Sequence, residues 1–533
     1  MKIAIVGMAL RFPGDLSTEE AFWQALVDGR DMVSQVGEDR WATGVLSHPR
    51  RSEPGRSITF SAGMLSRLDQ FDAAFFGISP REAVKLDPQQ RLLLELAWEA
   101  MENGGISPAT LSGSDCSVHV GISGLDYGLR GLDDMNGMDA YSMTGNTLSI
   151  AANRLSYVFD LRGPSMAVDT ACSSSLVALH QACRGLRDGE SSLALVGGVN
   201  LLLHPYPFIG FTKASMLSAD GRCKAFDASG DGYVRSEGGA VLLLKPLAQA
   251  EADGDDIQAV ILASGSNSDG ARKSGITIPS IEGQSDLLRQ VMRQAGIAAG
   301  DLDYIEAHGT GTAVGDPIET AAMGQVIGQA RAENKPLPIG SVKSNLGHME
   351  PASGMAGLIK TVLALKHRTL PASIQIEKLN PNIDFAGLNL EVVTTRRELP
   401  AGERPLLMGV NSFGFGGANA HVLLQEYRSN TRKRGGRLPR LTPPVILSAR
   451  APQALRELAR LYSDRINGIE APDFHDLAYA AAYRRQWLDQ RVAFFGRDTD
   501  QIAERLAAYA NGETTPGVIS ETALGETGKT AFV

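Results

Sequence analysis

The sequence predicts an α/β protein with a layered core, followed by a small second α/β unit. Three observations support this prediction. Short apolar runs typical of strands alternate with amphipathic helical stretches from residue 3 to residue 424. A basic, glycine-containing stretch at residues 428–440 then breaks the pattern, and strands and helices resume beyond it. The length of 533 residues suits two or more domains, and 43% hydrophobic with 21% charged residues is a globular composition.

Composition and charge argue against several classes of function. The net charge of −9 leaves no basic surplus to neutralise phosphates, so nucleic acid is not an expected partner, and the basic stretch is interpreted as a solvated connector. The four cysteines show no CxxC spacing, so neither a zinc site nor a disulfide framework is predicted. No apolar run reaches the length of a membrane span, and the N-terminus is a strand rather than a signal peptide. We therefore expect a cytoplasmic protein with no membrane partner.

The elements can be taken in order. A strand is predicted at residues 3–7 and a helix at 17–27, with Ser17 as its cap and Glu20 completing a capping box. Residues 29–70 are polar and irregular, which indicates a surface excursion. The remaining strands of the core are predicted at residues 118–122, 164–168, 194–203, 240–244, 257–264, 305–308, 338–342, 406–410 and 421–424.

Helices alternate with these strands. One follows Cys172, because Leu176, Leu179, Cys183 and Leu186 recur at helical spacing. The other core helices are predicted at residues 87–101, 145–157, 285–295, 318–329 and 354–365. The second unit is predicted to contain strands at 445–448 and 491–495 and helices at 452–465, 473–484 and 499–510.

The polar, glycine-rich loop at residues 225–237 superficially resembles a calcium loop. It lacks the terminal glutamate and the flanking helices of an EF-hand, so no calcium is predicted there.

Cys172 is the candidate nucleophile. It lies where a strand gives way to a helix, and the serines at 173–175 crowd the start of that helix as capping residues do. A thiol at the positive end of a helix dipole is expected to favour the nucleophilic thiolate. On this segment alone, a buried structural cysteine is the more usual interpretation of a free cysteine.

Three histidines occur in glycine-flanked turns at strand ends: His308, His348 and His421. Each could be a hydrogen-bonded structural residue, but a cysteine with histidines distant in sequence is the nucleophile–base pattern of covalent catalysis. His421 opens a strand and is predicted to be structural. Glycines within residues 411–417 leave backbone N–H groups free to face a ligand, as an oxyanion hole requires. A P-loop is not indicated, because its Gly-Lys-Ser/Thr ending is missing.

Four motifs, at residues 169–175, 306–319, 343–348 and 411–417, together resemble the signature of β-ketoacyl synthases. The resemblance is closest to the ketosynthase domains of modular type I polyketide synthases, and it covers about residues 1–426. It implies a thiolase fold, in which two similar halves form five layers, αβαβα, followed by a small α/β linker domain. The implied domains are a ketosynthase at 1–426, a basic connector at 427–440, a ketosynthase-to-acyltransferase linker at 441–527 and the start of an acyltransferase at 528–533.

The resemblance also implies an activity, the decarboxylative Claisen condensation of a cysteine-bound acyl chain with a malonyl-type extender. It implies catalytic roles for Cys172, His308, His348, Lys343 and Glu319, with Lys343 paired to Glu319. The backbone N–H groups of Cys172 and Phe415 are expected to form the oxyanion hole. Substrate contacts are expected at Thr310, Thr312, Asn345, Gly414, Gly416 and Met143.

No bound cofactor or metal is expected, because the substrates of such enzymes travel on the phosphopantetheine of acyl carrier proteins. The implied partners are those carrier proteins, a downstream acyltransferase and a second copy of the chain. The main alternative is a non-elongating domain that only transfers or gates acyl chains, although such domains usually lack one histidine. A degradative thiolase would need a second catalytic cysteine, and none follows Cys223. A scaffold would lack the nucleophile, and a cysteine hydrolase would not need the other motifs. The acyl chain, the extender and the product stay open.

Overall fold

The computed structural model describes residues 1–131, 135–429, 442–468 and 472–523. The chain divides into two compact units, Met1–Gly104 with Leu111–Arg428 and Gly105–Thr110 with Ser429–Val533. The predicted connector is outside the described residues from residue 430 onward, and the predicted acyltransferase start at 528–533 is entirely outside them. The predicted domain boundaries therefore stay predictions.

The strands of the described residues are β1 (Ile3–Arg11), β2 (Val33–Gln35), β3 (Ser61–Gly63), β4 (Ser117–Gly121), β5 (Ser165–Val168), β6 (Ala194–Asn200), β7 (Arg235–Ser236), β8 (Gly238–Pro246), β9 (Ala259–Ser268), β10 (Tyr304–Glu306), β11 (Leu337–Gly340), β12 (Thr369–Leu370), β13 (Leu390–Val392), β14 (Arg397–Glu398), β15 (Leu407–Phe413), β16 (Ala418–Gln425), β17 (Val445–Ala449), β18 (Gln490–Phe494) and β19 (Val518–Thr522).

The α-helices of the same residues are α1 (Glu19–Val27), α2 (Thr43–Leu46), α3 (Pro80–Lys85), α4 (Pro88–Asn103), α5 (Pro108–Leu111), α6 (Asp126–Arg130), α7 (Ala140–Asn146), α8 (Leu148–Phe159), α9 (Ser174–Asp188), α10 (Tyr206–Lys213), α11 (Leu247–Asp253), α12 (Ile281–Ala295), α13 (Gly315–Val326), α14 (Lys343–Leu346), α15 (Ser353–His367), α16 (Pro452–Asn467), α17 (Phe474–Tyr483) and α18 (Thr499–Ala510). None of the helices in these described ranges is long and apolar enough to cross a bilayer.

The first unit contains two halves with the same strand order. Its main sheet runs β13-β11-β10-β15-β16-β9-β1-β8-β6-β4-β5 across the described residues. Strands β1, β8, β6, β4 and β5 form the first half, and β9, β16, β15, β10 and β11 repeat that order in the second. The halves join through β1 and β9, where Ile3–Ile5 pair antiparallel with Ala259–Ile261.

The helices form three layers around these two half-sheets. Helices α9 and α15 contact strands of both halves, so they form the middle layer, whose apolar side chains belong to one buried core cluster. Helices α4 and α8 contact the outer face of the first half, and α12 contacts β9 and β16 of the second half, with α13 packed beside it. The predicted five-layered αβαβα arrangement is confirmed.

Helix α9 buries the face predicted from its sequence, since Leu176, Leu179, Cys183 and Leu186 are all in the core. Other local predictions were wrong in detail. The cap of α1 is Thr18 rather than Ser17, because Thr18 has the extended backbone that a cap needs and its hydroxyl accepts the Ala21 N–H.

Two further predictions need correction. The helix predicted at 145–157 is two helices, α7 and α8, because Thr147 between them is extended (φ −77°, ψ 128°). The excursion at 29–70 is more than surface loop. Its strands β2 and β3 form a small sheet with β7, and Phe60 and Ala62 pack into a buried cluster with Phe208.

The second unit contains an antiparallel sheet, β17-β18-β19, with helices α16, α17 and α18 packed around one apolar cluster. Its predicted strands and helices are present. Strand β19 was not predicted, because four of its five residues are exposed and its sequence has no apolar alternation to mark it.

Candidate active site

Cys172 lies in the turn between strand β5 and helix α9. Ala171, directly before it, has a left-handed backbone (φ 56°), so the chain turns sharply into the cysteine. The Ser174 hydroxyl accepts a hydrogen bond from the Thr170 N–H (2.9 Å) and donates one to the Ala171 carbonyl (2.6 Å). These bonds hold Cys172 at the N-terminal end of α9, where unpaired backbone N–H groups and the positive end of the helix dipole lie.

The second half of the unit anchors the same turn. The hydroxyls of Ser353, at the start of α15, and of Ser412, in β15, donate to the Cys172 carbonyl at 3.2 Å and 2.7 Å. These two hydrogen bonds fix the position of the Cys172 backbone. Sequence reasoning did not single out either serine, because only a long-range contact gives them this role.

Two histidines from the second half meet Cys172. His308 follows β10, and His348 follows the short helix α14. A thiol sulfur and one imidazole nitrogen from each histidine lie within 4.8 Å of one another. The two imidazole rings are 5.4 Å apart between centroids and meet at 81°. Gly347 makes the turn into His348 with φ of 79°, a conformation that suits glycine.

Backbone hydrogen bonds determine which nitrogen of each histidine carries its proton. The Glu350 N–H donates to Nδ1 of His348 at 3.0 Å, and the Phe413 N–H donates to Nδ1 of His308 at 3.4 Å. A nitrogen that accepts a hydrogen bond carries no proton in a neutral imidazole, so the proton is on Nε2. Both histidines therefore present Nε2–H as a hydrogen-bond donor.

Lys343 and Glu319 both act on His308, from different sides. The Lys343 ammonium donates to the His308 carbonyl at 2.5 Å. Glu319 accepts hydrogen bonds from the N–H groups of His308 (2.7 Å) and Gly309 (2.9 Å) and from the Asn411 amide (2.9 Å). Among the described residues, no direct ion pair joins Lys343 to Glu319. The expected pairing is therefore a through-space attraction: burial raises the pKa of Glu319, and the lysine charge opposes that rise.

Burial keeps both histidines neutral. It lowers the pKa of His308 and of His348 well below the usual value, and the nearby Lys343 charge lowers each pKa further. Burial also lowers the Lys343 pKa, which the charges of Glu306 and Glu319 oppose. Neutral imidazoles at physiological pH follow from this arrangement.

The thiol is shifted the opposite way from the sequence-based expectation. Burial raises the pKa of Cys172 to about 12, and the Glu350 carboxylate raises it further, while Lys343 and the N–H groups of Phe415 and Cys172 itself lower it. The expectation of a favoured thiolate was wrong, because it counted the helix end and could not count the desolvation. The two N–H groups that reach the sulfur are those predicted for the oxyanion hole.

A cavity of about 350 Å³ opens onto these groups. The predicted site residues that line this cavity are Cys172, His308, His348, Glu319, Thr310, Thr312, Gly414 and Phe415. Apolar side chains such as Met216 and Ile278 also line it. The cavity places a thiol, two N–H-donating imidazoles and a pair of backbone donors around one space.

Other predicted residues lie outside that lining. Lys343 contacts the His308 carbonyl. The Gly416 carbonyl accepts a hydrogen bond from the Lys273 ammonium. Asn345 is buried, and its amide donates to the Arg30 carbonyl (3.0 Å), so its visible role is to hold a neighbouring segment. Met143 is 67% exposed on α7. Substrate contacts by Gly416, Asn345 and Met143 stay predictions that the geometry does not support.

The structure also brings in residues that the sequence analysis passed over. The Tyr233 ring packs against His348 with centroids 5.0 Å apart. Tyr233, Arg235 and Glu350 form one hydrogen-bonded group beside that histidine. The loop that carries Tyr233 was interpreted as polar and glycine-rich, and no local signal marks its approach to a turn more than a hundred residues away.

Comparison with known proteins agrees with this site. Models for the N-terminal and C-terminal domains of β-ketoacyl synthases match residues 1–250 and 258–377, and a ketoacyl-synthetase C-terminal extension matches residues 380–491. A ketosynthase domain, OzmH KS7 of oxazolomycin synthesis in Streptomyces albus, superimposes with a TM-score of 0.92 at 37% identity, covering 99% of this chain and 92% of that one. The chain belongs to the β-ketoacyl synthase family. The ketosynthase of module 6 of the Bacillus subtilis bacillaene synthase is also similar, with a TM-score of 0.90, 36% identity and coverage of 98% and 87%.

Curated relatives of this ketosynthase are much longer polyketide synthases. A phenolphthiocerol/phthiocerol polyketide synthase of Mycobacterium tuberculosis is 45% identical over 519 residues, which cover 97% of this chain and 28% of the relative. Erythronolide synthase EryA2 of Saccharopolyspora erythraea is 42% identical, and the match covers 97% of this chain and 14% of that protein. The chain thus spans less than a third of the length of these relatives.

The role of Lys343 leads to a prediction about pH. In Lys343→Met, loss of the charge raises the pKa of both histidines, so their protonation begins at a higher pH. Any step that needs neutral imidazoles should then lose activity at a higher pH on the acid side. Decarboxylation of a malonyl thioester, followed as CO₂ release across about pH 5 to 8, measures this shift. Lys366→Met, on the exposed end of α15, is the control. If the acid limb of Lys343→Met stayed at the same pH as that of wild type, the role assigned to Lys343 would be wrong.

Proposed function

We propose that this ketosynthase extends an acyl chain by decarboxylative Claisen condensation, with Cys172 as its acyl carrier. The observation that carries the proposal is the cavity itself. It combines a nucleophile, two neutral imidazoles with Nε2–H donors and the backbone N–H groups of Cys172 and Phe415. Covalent storage of the chain leaves room for a second substrate to enter the same space.

In the first stage, the Cys172 sulfur attacks the carbonyl carbon of an acyl thioester. The bond to Cys172 forms first, the carbon–sulfur bond to the donor carrier then breaks, and the departing carrier thiolate takes up the proton that the Cys172 thiol has lost. Negative charge develops on the carbonyl oxygen, and the N–H groups of Cys172 and Phe415 are placed to receive it. Donors of this kind contribute about 3 to 4 kcal/mol each in other enzymes.

In the second stage, a malonyl-type thioester loses CO₂, and the electron pair of the broken carbon–carbon bond becomes an enolate. The Nε2–H groups of His308 and His348 would stabilise the enolate oxygen. The carbanion carbon then attacks the acyl-cysteine, a carbon–carbon bond forms, and Cys172 leaves as a thiolate that regains a proton from solvent. Imidazolium ions are not required, which agrees with the low histidine pKa values.

The remaining site residues would support these two stages. Lys343 would keep the imidazoles neutral, and Glu319 would hold the His308 backbone in place. Thr310 and Thr312, whose hydroxyls lie 3.1 Å apart, would contact the thioester arm where it enters the cavity.

The partners follow from the same reaction. Both substrates would arrive on the phosphopantetheine of acyl carrier proteins, with no resident cofactor or metal in the domain. The proposal also includes an acyltransferase that follows this ketosynthase and its linker, a dimer of two copies, and a cytoplasmic location. The greater length of the relatives leaves room for further domains. The predicted domain limits, 1–426, 427–440, 441–527 and 528–533, belong to this proposal.

Intact-protein mass spectrometry tests the proposal directly. The protein is mixed with an acyl thioester and then with a malonyl-carrier protein. We expect an acyl adduct on Cys172 that disappears as a β-ketoacyl-carrier protein appears. An adduct that persists with every extender tested would favour the non-elongating alternative, in which the domain only transfers acyl chains.

A further inference from the structure

Glu350 has an unusual backbone conformation beside His348. Its φ is 45°, in the left-handed region that residues other than glycine seldom occupy. In this conformation its N–H donates to Nδ1 of His348 at 3.0 Å. A strained conformation at a functional site persists only where surrounding contacts hold it.

Arg235 supplies those contacts. Its guanidinium donates two hydrogen bonds of 2.7 Å to the two carboxylate oxygens of Glu350, and the side chains are 3% and 13% exposed. The Tyr233 hydroxyl donates to the same carboxylate at 3.3 Å. Arg235 is held in turn over the Phe208 ring, 4.8 Å from its centroid. A bidentate pair of this kind fixes both distance and orientation.

We propose that Glu350 and Arg235 are positioning residues for His348. The arginine holds the glutamate side chain, the glutamate backbone is thereby kept in its left-handed conformation, and its N–H keeps Nδ1 of His348 occupied as an acceptor. Nε2 therefore keeps its proton and stays directed at the cavity. This inference rests on the proposed function, because the donor matters for the step in which an enolate forms.

The consequence is a split between the two half-reactions. Acylation of Cys172 relies on backbone N–H groups that the pair does not touch. Decarboxylation relies on the Nε2–H of His348. Without the pair, the imidazole can rotate or change tautomer, and misplacing a reacting group by about 1 Å costs up to about a hundredfold in rate.

The experiment measures both half-reactions in Glu350→Ala, Glu350→Gly, Arg235→Met and the double variant Glu350→Ala/Arg235→Met. We expect CO₂ release to fall about ten- to a hundredfold in Glu350→Ala. Acylation should not fall, because loss of the Glu350 charge lowers the pKa of the Cys172 thiol. Glu350→Gly should recover part of the loss, because glycine adopts a positive φ without strain. The double variant should be no worse than its worse single variant, because the two residues act as one unit.

Glu237→Ala is the matched control. It breaks another buried arginine–glutamate pair, with Arg40 at 2.8 Å and 3.2 Å, outside the cavity lining. We expect it to lower acylation and CO₂ release by the same factor, as a purely structural change does. If Glu350→Ala also lowered acylation and CO₂ release by the same factor, or lowered neither, the inference would be overturned. Glu350→Gln replaces Glu350→Ala if the alanine variant does not fold, with the same two readouts.

A second readout separates this inference from the proposed function. The titratable groups that line the cavity around the thiol are His308, His348, Glu319, Tyr233, Asp231 and Asp316, and the charges of Lys343, Glu350 and Arg235 act on the same site. The Glu350 charge raises the pKa of Cys172, so alkylation of Cys172 by iodoacetamide should shift to lower pH in Glu350→Gln. If wild type forms no β-ketoacyl product, the proposed function fails and this profile still decides whether Glu350 acts on the site. If the pH profile of alkylation does not shift in Glu350→Gln, the placement of Glu350 beside this site is overturned.

Discussion

Replacing Cys172 with alanine is expected to abolish acylation while the protein stays folded. The sulfur is the atom that bonds the acyl chain, and no other thiol among the described residues lines the cavity. Removing the nucleophile of a covalent enzyme lowers turnover by a factor on the order of 10⁶. The measurement is the mass of the intact protein after incubation with an acyl thioester, which should show no added acyl group.

Cys183→Ala provides the matched control for this variant. Cys183 lies further along α9, buried in the apolar middle layer, where burial raises its pKa to about 11. Its loss should leave the adduct on Cys172 unchanged. Circular dichroism of Cys172→Ala should show the wild-type helix content, since Cys172 lies before α9 rather than in its buried face. An acyl adduct that survives in Cys172→Ala would mean that the nucleophile is elsewhere.

Replacing His308 or His348 with alanine should separate the two stages. Each variant should still accept an acyl chain, because the oxyanion donors are backbone groups that remain in place. Each should lose decarboxylation and condensation by about 10²- to 10⁴-fold, the usual contribution of a positioned proton donor. Rapid-quench mass spectrometry measures adduct formation, and CO₂ release from malonyl-carrier protein measures the second stage.

His180→Ala is the control for both histidine variants. His180 is half-buried, its pKa is lowered to about 4 by burial, and it hydrogen-bonds Ser264 outside the cavity lining. We expect this variant to retain both stages. A histidine variant that lost acylation and condensation equally would contradict the division of labour, since His308 and His348 would then act on the thiol itself.

The local patterns of the sequence were sufficient for most elements of the fold. The apolar spacing after Cys172 predicted the buried face of α9, and the core helix predicted at 354–365 is α15 in the middle layer. Errors arose where a short segment had no periodicity, as in β19, or where one extended residue, Thr147, divided a helical run. Helical and strand periods are properties of neighbouring residues, so they report on elements and not on their ends.

The chemistry of the site was predictable only in part. The motifs around Cys172, His308 and His348 were visible, because each lies in a turn between regular elements. The roles of the two serines that hold the Cys172 carbonyl were not visible, because the serines come from other segments. Ser412 lies inside the motif at 411–417, but a motif does not show which distant atom a hydroxyl reaches. The group of Tyr233, Arg235 and Glu350 was not predicted, for the same reason.

By itself, the sequence determined the alternation of strands and helices, the family resemblance and the candidate reactive side chains. Only the tertiary structure decided their protonation and their donors. Desolvation raises the thiol pKa to about 12 and keeps the imidazoles neutral, and backbone N–H groups assign the proton of each histidine to Nε2. The physical reason is that burial and through-space charge depend on chain segments distant in sequence, whereas propensity and periodicity act between neighbours.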